Sequence, residues 1–268
     1  MIQVSSMCVK VSLNKQKVIY LNIMSKKKLV VFSGAGLDKE SGIKTFRDCD
    51  EGLWNNYKVD DVATPQGWKK DRKKVLDFYN ERRSELESVE PNDAHKILVE
   101  LEKQFDVTHI TQNVSDLLER AGSTNVLHLH GELTKVRGCM YDHKSSSMDT
   151  VYDIGYKPTE IGDKCEITGS QLRPHVVWFG EYPENVRESY DAIGECDILL
   201  IISTTLFIEY TTQMLGHSRK EGRTTEVFFI DPEPTTILDH RVKDINYIKE
   251  PATIGMKKFV DDLNELVG

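Results

Sequence analysis

Residues 29–36 read LVVFSGAG, a short apolar run that ends in a glycine turn. Such a run is typical of a strand buried on both faces of a parallel sheet, and the glycines let the backbone turn tightly into a helix. Backbone N–H groups at a turn of this kind can also approach a phosphate closely. Gly42 follows Gly36 by six residues, so the GxGxxG spacing of dinucleotide sites is not met and a simple strand-to-helix turn remains an equal alternative.

The rest of the chain repeats this alternation of strand and helix. Further strand-like runs cover 105–111, 126–129, 197–202 and 226–230, and helical patterns cover 73–88, 92–104, 114–121, 207–220 and about 256–267. The pattern predicts an α/β fold with a mostly parallel sheet. Residues 135–174 are polar and irregular, which predicts an inserted module or a long loop.

Composition limits the classes of protein that fit. The chain has 268 residues, 39% hydrophobic and 29% charged, as in a globular protein of one large domain with room for an insertion. The apolar run at 198–202 is too short to cross a bilayer. A net charge of −8 disfavours nucleic acid and anionic membranes as partners. Five scattered cysteines without a CxxC pair favour a reducing compartment, so we expect a cytoplasmic protein and, by default, a monomer.

The N-terminal segment differs from the rest of the chain. Residues 1–28 are expected to form a disordered extension before the domain at 29–268. Residues 1–37 contain six lysines and no acidic residue, so mitochondrial targeting is an alternative, although the segment has no arginine. Met24 is a candidate translation start, because a strong strand follows it closely.

Polar side chains follow two of the expected strands. Gln112 and Asn113 come directly after the run at 105–111, and His130 follows the run at 126–129. Ligands of open α/β sheets bind at the carboxyl edge of the strands, where these residues would lie. A histidine near pKa 6.5 can act there as a general base, and Gly131 would let a ligand approach. The alternative is a structural histidine in a turn.

Five blocks of sequence in the same order resemble the sirtuin family: 34–48 (GAGLDKESGIKTFRD), 111–122 (TQNVSDLLERAG), 127–133 (LHLHGEL), 173–181 (RPHVVWFGE) and 228–235 (FFIDPEPT). The resemblance runs from about Leu29 to the C-terminus. It implies an inverted Rossmann-type sheet with a smaller inserted domain, and NAD as cofactor. It also implies removal of acyl groups from lysine in proteins or peptides, giving nicotinamide and O-acyl-ADP-ribose.

The resemblance also assigns roles residue by residue. His130 would be the base, and Asn113 would act with it in catalysis while holding ribose and nicotinamide together with Gln112. Other cofactor contacts would come from Gly34, Ala35, Gly36, Phe46, Arg47, Ser115, Ser203, Thr204 and Asp231. The substrate backbone would pair, as an added strand, with Val177, Phe179, Gly180 and Glu181.

Residues 52–83 resemble the desuccinylase and demalonylase branch of that family. Tyr79 and Arg82 are three residues apart in a helical pattern, so they share a side. An arginine fork and a tyrosine hydroxyl together suit the carboxylate of a succinyl or malonyl group, and Ala63 would leave room for the longer chain. The alternative places Arg82 on a solvated helix face and Tyr79 in the core.

The chain departs from the family pattern at several positions. Asp38 stands where the family has serine, Ser115 where it has the aspartate that holds the nicotinamide carboxamide, and Ser203 where it has glycine. Two weaker hypotheses follow: a binding module for NAD or acylated peptides, and an NAD hydrolase or ADP-ribosyltransferase.

The structural zinc site of many sirtuins is also incomplete here. Only Cys139 and Cys165 remain of its two CxxC pairs, and His143 offers a third ligand without a fourth. Tetrahedral zinc needs four ligands, so we expect no metal.

Overall fold

The computed structural model describes residues 7–13, 17–23, 26–44, 53–54, 57–139, 150–219, 225–238, 240–242 and 244–267. The strands are β1 (Met7–Leu13), β2 (Lys17–Ile23), β3 (Lys28–Ser33), β4 (Leu53–Trp54), β5 (Tyr57–Lys58), β6 (Asp106–Thr111), β7 (Val126–His128), β8 (Gly131–Gly138), β9 (Val151–Asp153), β10 (Leu172–Val176), β11 (Ile198–Ile202), β12 (Glu226–Ile230) and β13 (Ile245–Ile248). The helices are α1 (Gly36–Lys39), α2 (Val59–Val62), α3 (Pro65–Lys70), α4 (Arg72–Glu87), α5 (Asp93–Leu101), α6 (Leu117–Ala121), α7 (Val186–Glu195), α8 (Glu209–Gly216) and α9 (Ala252–Val267), with a 3₁₀ turn at His217–Arg219.

A six-stranded sheet forms the centre of the fold, in the order β13-β12-β11-β3-β6-β7. Every neighbouring pair in it is parallel. All parallel strands end at the same edge of a sheet, so the loops after β3, β6, β7, β11 and β12 lie together. The predicted α/β fold with a parallel sheet is confirmed.

The sheet is buried on both faces, as the apolar runs predict. Along β3, Leu29 and Val31 pack in one cluster with residues of α5 and α9, while Val30 and Phe32 pack in another with residues of α7 and α8. Alternate residues of a strand point to opposite faces, so β3 contributes to both cores. The centre of the sheet is thus a rigid base for the loops at its carboxyl edge.

The polar segment expected at 135–174 belongs to a second, antiparallel sheet in the order β10-β8-β9. This sheet begins at Gly131 and ends at Val176, so it extends beyond both expected boundaries. β8 alternates buried and half-buried residues and pairs with β10, which extends the module into sequence that we assigned to the main domain. Asn80 of α4 fastens the module to the core, because its amide donates to the Thr159 carbonyl at 3.0 Å and accepts from the Thr159 N–H at 2.9 Å.

The N-terminal extension differs from the expected disorder. β1 and β2 pair as an antiparallel hairpin with Met7 opposite Ile23. β2 (KVIYLNI) in particular is rich in β-branched residues and has a tyrosine, which favour extended structure. Within the described residues, no helix has the length and apolar character needed to cross a membrane.

Candidate active site

The loop after β3 lies directly against the loop after β11. The N–H groups of Gly34 and Gly36 donate to the carbonyls of Ile202 and Ser203, each at 3.1 Å. A Cβ at Gly34 would come within 2.7 Å of the Thr204 Cβ, so the glycine is required by this close approach. The glycine turn therefore joins two loops of the site, and its Gly34 and Gly36 N–H groups are engaged within the protein instead of being directed at a phosphate.

Ser203 has a left-handed backbone conformation with φ +54°. Residues with a Cβ rarely adopt this conformation, because it brings the side chain close to the backbone. This geometry gives a physical reason for the glycine that the family resemblance places here. The Ser203 N–H donates to the Ile230 carbonyl at 2.8 Å. This bond holds the strained residue at the carboxyl edge between β11 and β12.

Gln112 and Asn113 lie side by side after β6, as expected. The Gln112 amide donates to Thr204 Oγ1 at 2.9 Å, and the Asn113 amide donates to the Gly34 carbonyl at 3.1 Å. Asn113 is almost fully buried and Gln112 is half-buried. Both amides thus tie together the loops that follow β3, β6 and β11, where a ligand of the sheet edge would bind.

His130 is held through both ring nitrogens. Nδ1 lies 2.9 Å from the Gln112 carbonyl oxygen, and Nε2 lies 2.7 Å from the hydroxyl of Tyr210. A carbonyl only accepts, so Nδ1 carries a proton and, in the neutral ring, Nε2 presents its lone pair. Burial lowers the pKa of His130 below 6.5, and the Gln112 carbonyl only partly opposes this shift. His130 therefore has the protonation state of a general base.

Asp38 and Ser115 contact each other. Ser115 Oγ donates to Asp38 Oδ2 at 2.6 Å, and His95 Nε2 lies 3.2 Å from Asp38 Oδ1. His95 Nδ1 accepts from the Asn92 N–H at 3.3 Å, so Nε2 carries the proton and donates to the carboxylate. The Asp38 carboxylate is buried, but each of its oxygens accepts a hydrogen bond. These bonds offset the cost of removing the carboxylate from water.

Two further carboxylates near the site face different partners. Asp231 is buried at the end of β12, and its Oδ1 accepts from the Glu233 N–H at 2.9 Å. Asp116 points to the inserted module, where the Tyr156 hydroxyl donates to it at 2.5 Å. Asp116 thus does not replace the aspartate lacking at position 115.

The loop after β10 connects the base to the pocket expected for the acyl group. The Val177 N–H donates to the His130 carbonyl at 2.9 Å, and the Phe179 N–H donates to the Ala63 carbonyl at 3.0 Å. These two N–H groups are engaged within the chain, so an added substrate strand would need other backbone groups. Gly180 has φ +91°, a conformation that favours glycine and turns the loop.

Glu181 is an internal partner of that loop. Its carboxylate accepts from Arg173 at 2.6 and 3.0 Å and from the Trp178 N–H at 2.8 Å. Arg173 is fully buried, and its guanidinium lies 3.4 Å from the centre of the Trp178 ring system. The carboxylate of Glu181 therefore fixes the loop, and the backbone pairing with substrate expected of this segment stays a prediction.

Tyr79 lies in a buried cluster with Ala63, Trp68 and Trp178. The Trp178 indole Nε1–H donates to the Tyr79 hydroxyl at 3.0 Å, and burial raises the pKa of Tyr79. The hydroxyl thus keeps its own proton, for which the described residues offer no acceptor. Among the described residues, Trp68 Nε1 also lacks a hydrogen-bond partner.

Arg82 lies one turn after Tyr79 on α4, and its side chain is only 11% exposed. Its Nη2 donates to Glu85 at 2.8 Å and lies 3.7 Å from Glu81, while its guanidinium sits 5.2 Å from the centre of the Phe78 ring. The structure thus places Tyr79 in the core and Arg82 at the boundary of the core, paired with exposed carboxylates. Phe46 and Arg47 lie outside the described residues.

Residues 34–209 match the sequence profile of the Sir2 family, which is about two thirds of the chain. The chain belongs to the Sir2 family. It is 43% identical over 240 residues to an NAD-dependent protein deacylase of Helicobacter pylori (strain ATCC 700392 / 26695), covering 90% of this chain and 99% of the relative. A protein of the same description from Bacteroides thetaiotaomicron is 42% identical over 241 residues, covering 90% and 98% of the two chains.

Solved structures agree with this assignment. A crystal structure of a Sir2 homologue in complex with NAD superposes with a TM-score of 0.75 at 32% identity, covering 91% of each chain. A mutant Sir2 homologue in complex with ADP-ribose gives a TM-score of 0.76, also at 32% identity, covering 90% of this chain and 94% of the other. The fold and the family that the sequence predicts for this Sir2 protein are confirmed.

The inserted module of this Sir2 protein retains two buried cysteines, Cys139 and Cys165. Burial alone would raise the pKa of Cys165, but hydrogen bonds from Thr168 and Tyr152 outweigh it and lower the pKa to about 7. The described residues contain no group of three side chains placed to hold a metal ion. His143 lies outside the described residues, so the prediction of a zinc-free module stays a prediction.

Sequence reasoning missed two residues that contact predicted site residues, Tyr210 and Trp178. Tyr210 contacts His130 from a helix 80 positions along the chain, and Trp178 contacts Tyr79 across 99 positions. The RPHVVWFGE block (173–181) contained Trp178, but its partner could not be read from the sequence. No sequence signal pointed to Tyr210.

Proposed function

We propose that this Sir2 protein removes succinyl or malonyl groups from lysine side chains of proteins, in preference to acetyl groups. Its relatives of about 40% identity are named NAD-dependent protein deacylases, and it belongs to their family over nearly its whole length. The chain is an NAD-dependent protein deacylase, and NAD is its cofactor. The preference for acidic acyl groups is the finer part of the proposal, and it rests on the cluster around Tyr79.

The polar groups at the carboxyl edge of the sheet fit NAD. Gln112, Asn113, Thr204 and Asp231 bring amide, hydroxyl and carboxylate groups to the ends of three parallel strands. This set offers donors for phosphates and carbonyls and an acceptor for ribose hydroxyls. NAD supplies, when bound, an electrophilic ribose carbon with nicotinamide as its leaving group.

His130 has the geometry to move the proton that this chemistry requires. Its Nε2 lone pair faces the site while Nδ1–H stays fixed on the Gln112 carbonyl. The lone pair can take a proton from a ribose hydroxyl, and the imidazolium can return it later. The Val177 N–H bond to the His130 carbonyl keeps this base next to the loop that leads to the acyl pocket.

The observation that carries the acyl preference is a pair of buried donors without acceptors. The Tyr79 hydroxyl already accepts from Trp178, so only its proton is left to donate, and Trp68 Nε1–H has no partner within the described part of the chain. Unsatisfied buried donors cost free energy, which a ligand oxygen would recover. A succinyl or malonyl group brings carboxylate oxygens to such a cluster, whereas an acetyl group offers only a methyl group.

Arg82 complements these donors. Its guanidinium lies near the core, but its carboxylate partner Glu85 belongs to the same helix and is 55% exposed. Because the Glu85 carboxylate is exposed and can return to water, a ligand carboxylate can replace it at small cost. The planar fork of arginine then binds that carboxylate through two charge-assisted hydrogen bonds.

The test is a mass-spectrometric assay on one lysine peptide carrying acetyl, malonyl or succinyl, with and without NAD. We expect wild type to remove succinyl or malonyl faster than acetyl. Arg82→Met should lower kcat/KM for succinyl by about ten- to a hundredfold, the value of a charged hydrogen bond, and leave acetyl removal unchanged. Arg82→Lys keeps the charge without the fork, and Tyr79→Phe removes only the hydroxyl; both should give intermediate losses.

Equal losses on all three acyl groups would refute the acyl preference and assign Arg82 a purely structural role. If wild type binds NAD but removes none of the three acyl groups, the result would favour a binding module instead. Nicotinamide release without any acylated peptide would favour NAD hydrolysis or ADP-ribosyl transfer.

A further inference from the structure

The lone pair of the proposed base has a partner within the chain. Nδ1–H of His130 donates to the Gln112 carbonyl, so Nε2 is the nitrogen that accepts, and the oxygen 2.7 Å from it is the Tyr210 hydroxyl. Tyr210 must therefore donate its proton to Nε2. The two rings meet edge to face, with centroids 6.4 Å apart. A hydroxyl that loses a proton to Nε2 has to lie within hydrogen-bond reach of that atom, where Tyr210 lies now.

Tyr210 suits the role of a donor that does not react. It is the second residue of α8 and half-buried, and burial raises its pKa. The phenol therefore keeps its proton at neutral pH, where the His130 ring is also neutral. Among the described residues, His130 Nε2 is the one hydrogen-bond partner of its hydroxyl.

The loop that leads into α8 also contacts Gln112, a second residue predicted to bind the cofactor. Residues 203–208 connect β11 to α8, and Thr204 Oγ1 accepts the Gln112 amide at 2.9 Å. Ser203 and Leu206 within this loop both have φ +54°, a conformation that costs about 1–2 kcal/mol at a residue with a Cβ. The loop is thus held in a strained form. Thr204 near its start bonds to Gln112, and Tyr210, in the first turn of α8 just after its end, bonds to His130. Displacing Tyr210 removes one of the contacts that hold this form.

We propose that Tyr210 is a positioning residue of His130. The Tyr210 hydroxyl occupies the position at Nε2 that a reacting ribose hydroxyl must take, so the two hydroxyls exchange when NAD binds. This inference rests on the proposed role of His130. The phenol keeps the imidazole in the tautomer whose lone pair faces the site, and it must leave Nε2 before the base can work. Tyr210 thereby competes with NAD and sets its affinity.

The experiment compares Tyr210→Phe with wild type by calorimetric titration with NAD and by steady-state kinetics. Removing the hydroxyl removes a competing hydrogen bond worth about 0.5–1.5 kcal/mol, so NAD should bind about two- to tenfold more tightly. KM for NAD should fall by a similar factor, and kcat should stay within about twofold because the phenol takes no part in the chemical step.

Tyr190→Phe is the matched control. Tyr190 is another half-buried tyrosine beside a histidine, with its ring 5.4 Å from that of His217, and it packs on the same core cluster as Tyr210. We expect no change in NAD affinity for this variant. An equal gain in both variants would overturn the inference.

Two other results would also overturn it. A tenfold or larger loss of kcat in Tyr210→Phe would mean that the hydroxyl relays the proton itself, and unchanged affinity would mean that it does not compete. Failure of the proposed reaction is recognised separately: NAD binding without deacylation refutes the reaction and leaves the affinity shift measurable. No NAD binding by either protein would refute both.

Discussion

Ser115 donates a 2.6 Å hydrogen bond to the carboxylate of Asp38 across 77 positions of sequence. These are two of the positions at which the chain departs from the family pattern, and their residue types are exchanged relative to that pattern. The site therefore keeps one buried carboxylate and one hydroxyl, presented from opposite elements. Asp38 extends from α1, and Ser115 from the loop after β6.

This exchange predicts the outcome of a double substitution. Ser115→Asp alone would place two carboxylates together in a buried space, so we expect one of them to be protonated and the free energy of unfolding to fall by about 2 kcal/mol or more. Asp38→Ser combined with Ser115→Asp restores one carboxylate and one hydroxyl. Its stability and NAD affinity should return to within about 1 kcal/mol of wild type. Urea unfolding and calorimetry measure both; additive losses would contradict the exchange.

The left-handed conformation of Ser203 predicts a stabilising substitution. Glycine adopts φ +54° without strain, so Ser203→Gly should raise the free energy of unfolding by about 0.5–1 kcal/mol after the greater freedom of glycine in the unfolded chain is included. Ser203→Ala is the control, since it removes the hydroxyl and keeps the Cβ. Urea denaturation of both variants decides the matter, and an equal gain from alanine would show that backbone strain is not the cause.

Two histidines two residues apart should titrate in opposite directions. Burial lowers the pKa of His130 below 6.5. Burial alone would also lower the pKa of His128, but its hydrogen bond to Glu119 at 2.9 Å and the charge of that residue raise it above 6.5. NMR titration of both rings tests this. Since the base acts when neutral, kcat/KM should fall on the acid side only below pH 6.5, as pH drops through the His130 pKa.

In Glu119→Gln the His128 midpoint should fall while the His130 midpoint stays unchanged. A drop of both midpoints would indicate that the substitution disturbs the whole edge of the sheet.

Glu181 should behave as a structural residue. Glu181→Gln removes the carboxylate that neutralises the fully buried Arg173, and breaking a buried pair costs about 3–5 kcal/mol. Thermal unfolding should show the loss, while KM for peptide in the remaining folded protein changes little. Glu188→Gln on the exposed face of α7 is the control and should leave stability within about 0.5 kcal/mol. A large rise in KM at unchanged stability would contradict this prediction and indicate that the Glu181 carboxylate contacts the substrate.

Several elements could be predicted because their signal is local. The strands at 29–33, 105–111 and 197–202 are continuous apolar runs, and the structure has β3, β6 and β11 there. α7 and β13 were not predicted. α7 begins at Val186, after Asn185 in a left-handed conformation and without a side-chain cap, so the sequence carries no start signal for it. β13 is held by its pairing with β12 at the edge of the sheet.

The sequence by itself determined the alternation of strands and helices, the carboxyl-edge position of Gln112, Asn113 and His130, and the family. Hydrophobic periodicity and the ends of strands depend on residues close in the chain, so they can be read directly. Only the tertiary structure decided which groups meet. The contacts of Asp38 with Ser115, of Tyr210 with His130 and of Trp178 with Tyr79 each span more than 75 positions. Such contacts depend on how distant parts of the chain pack together. A polar side chain could pair with many others, so its partner is not determined until the chain is folded.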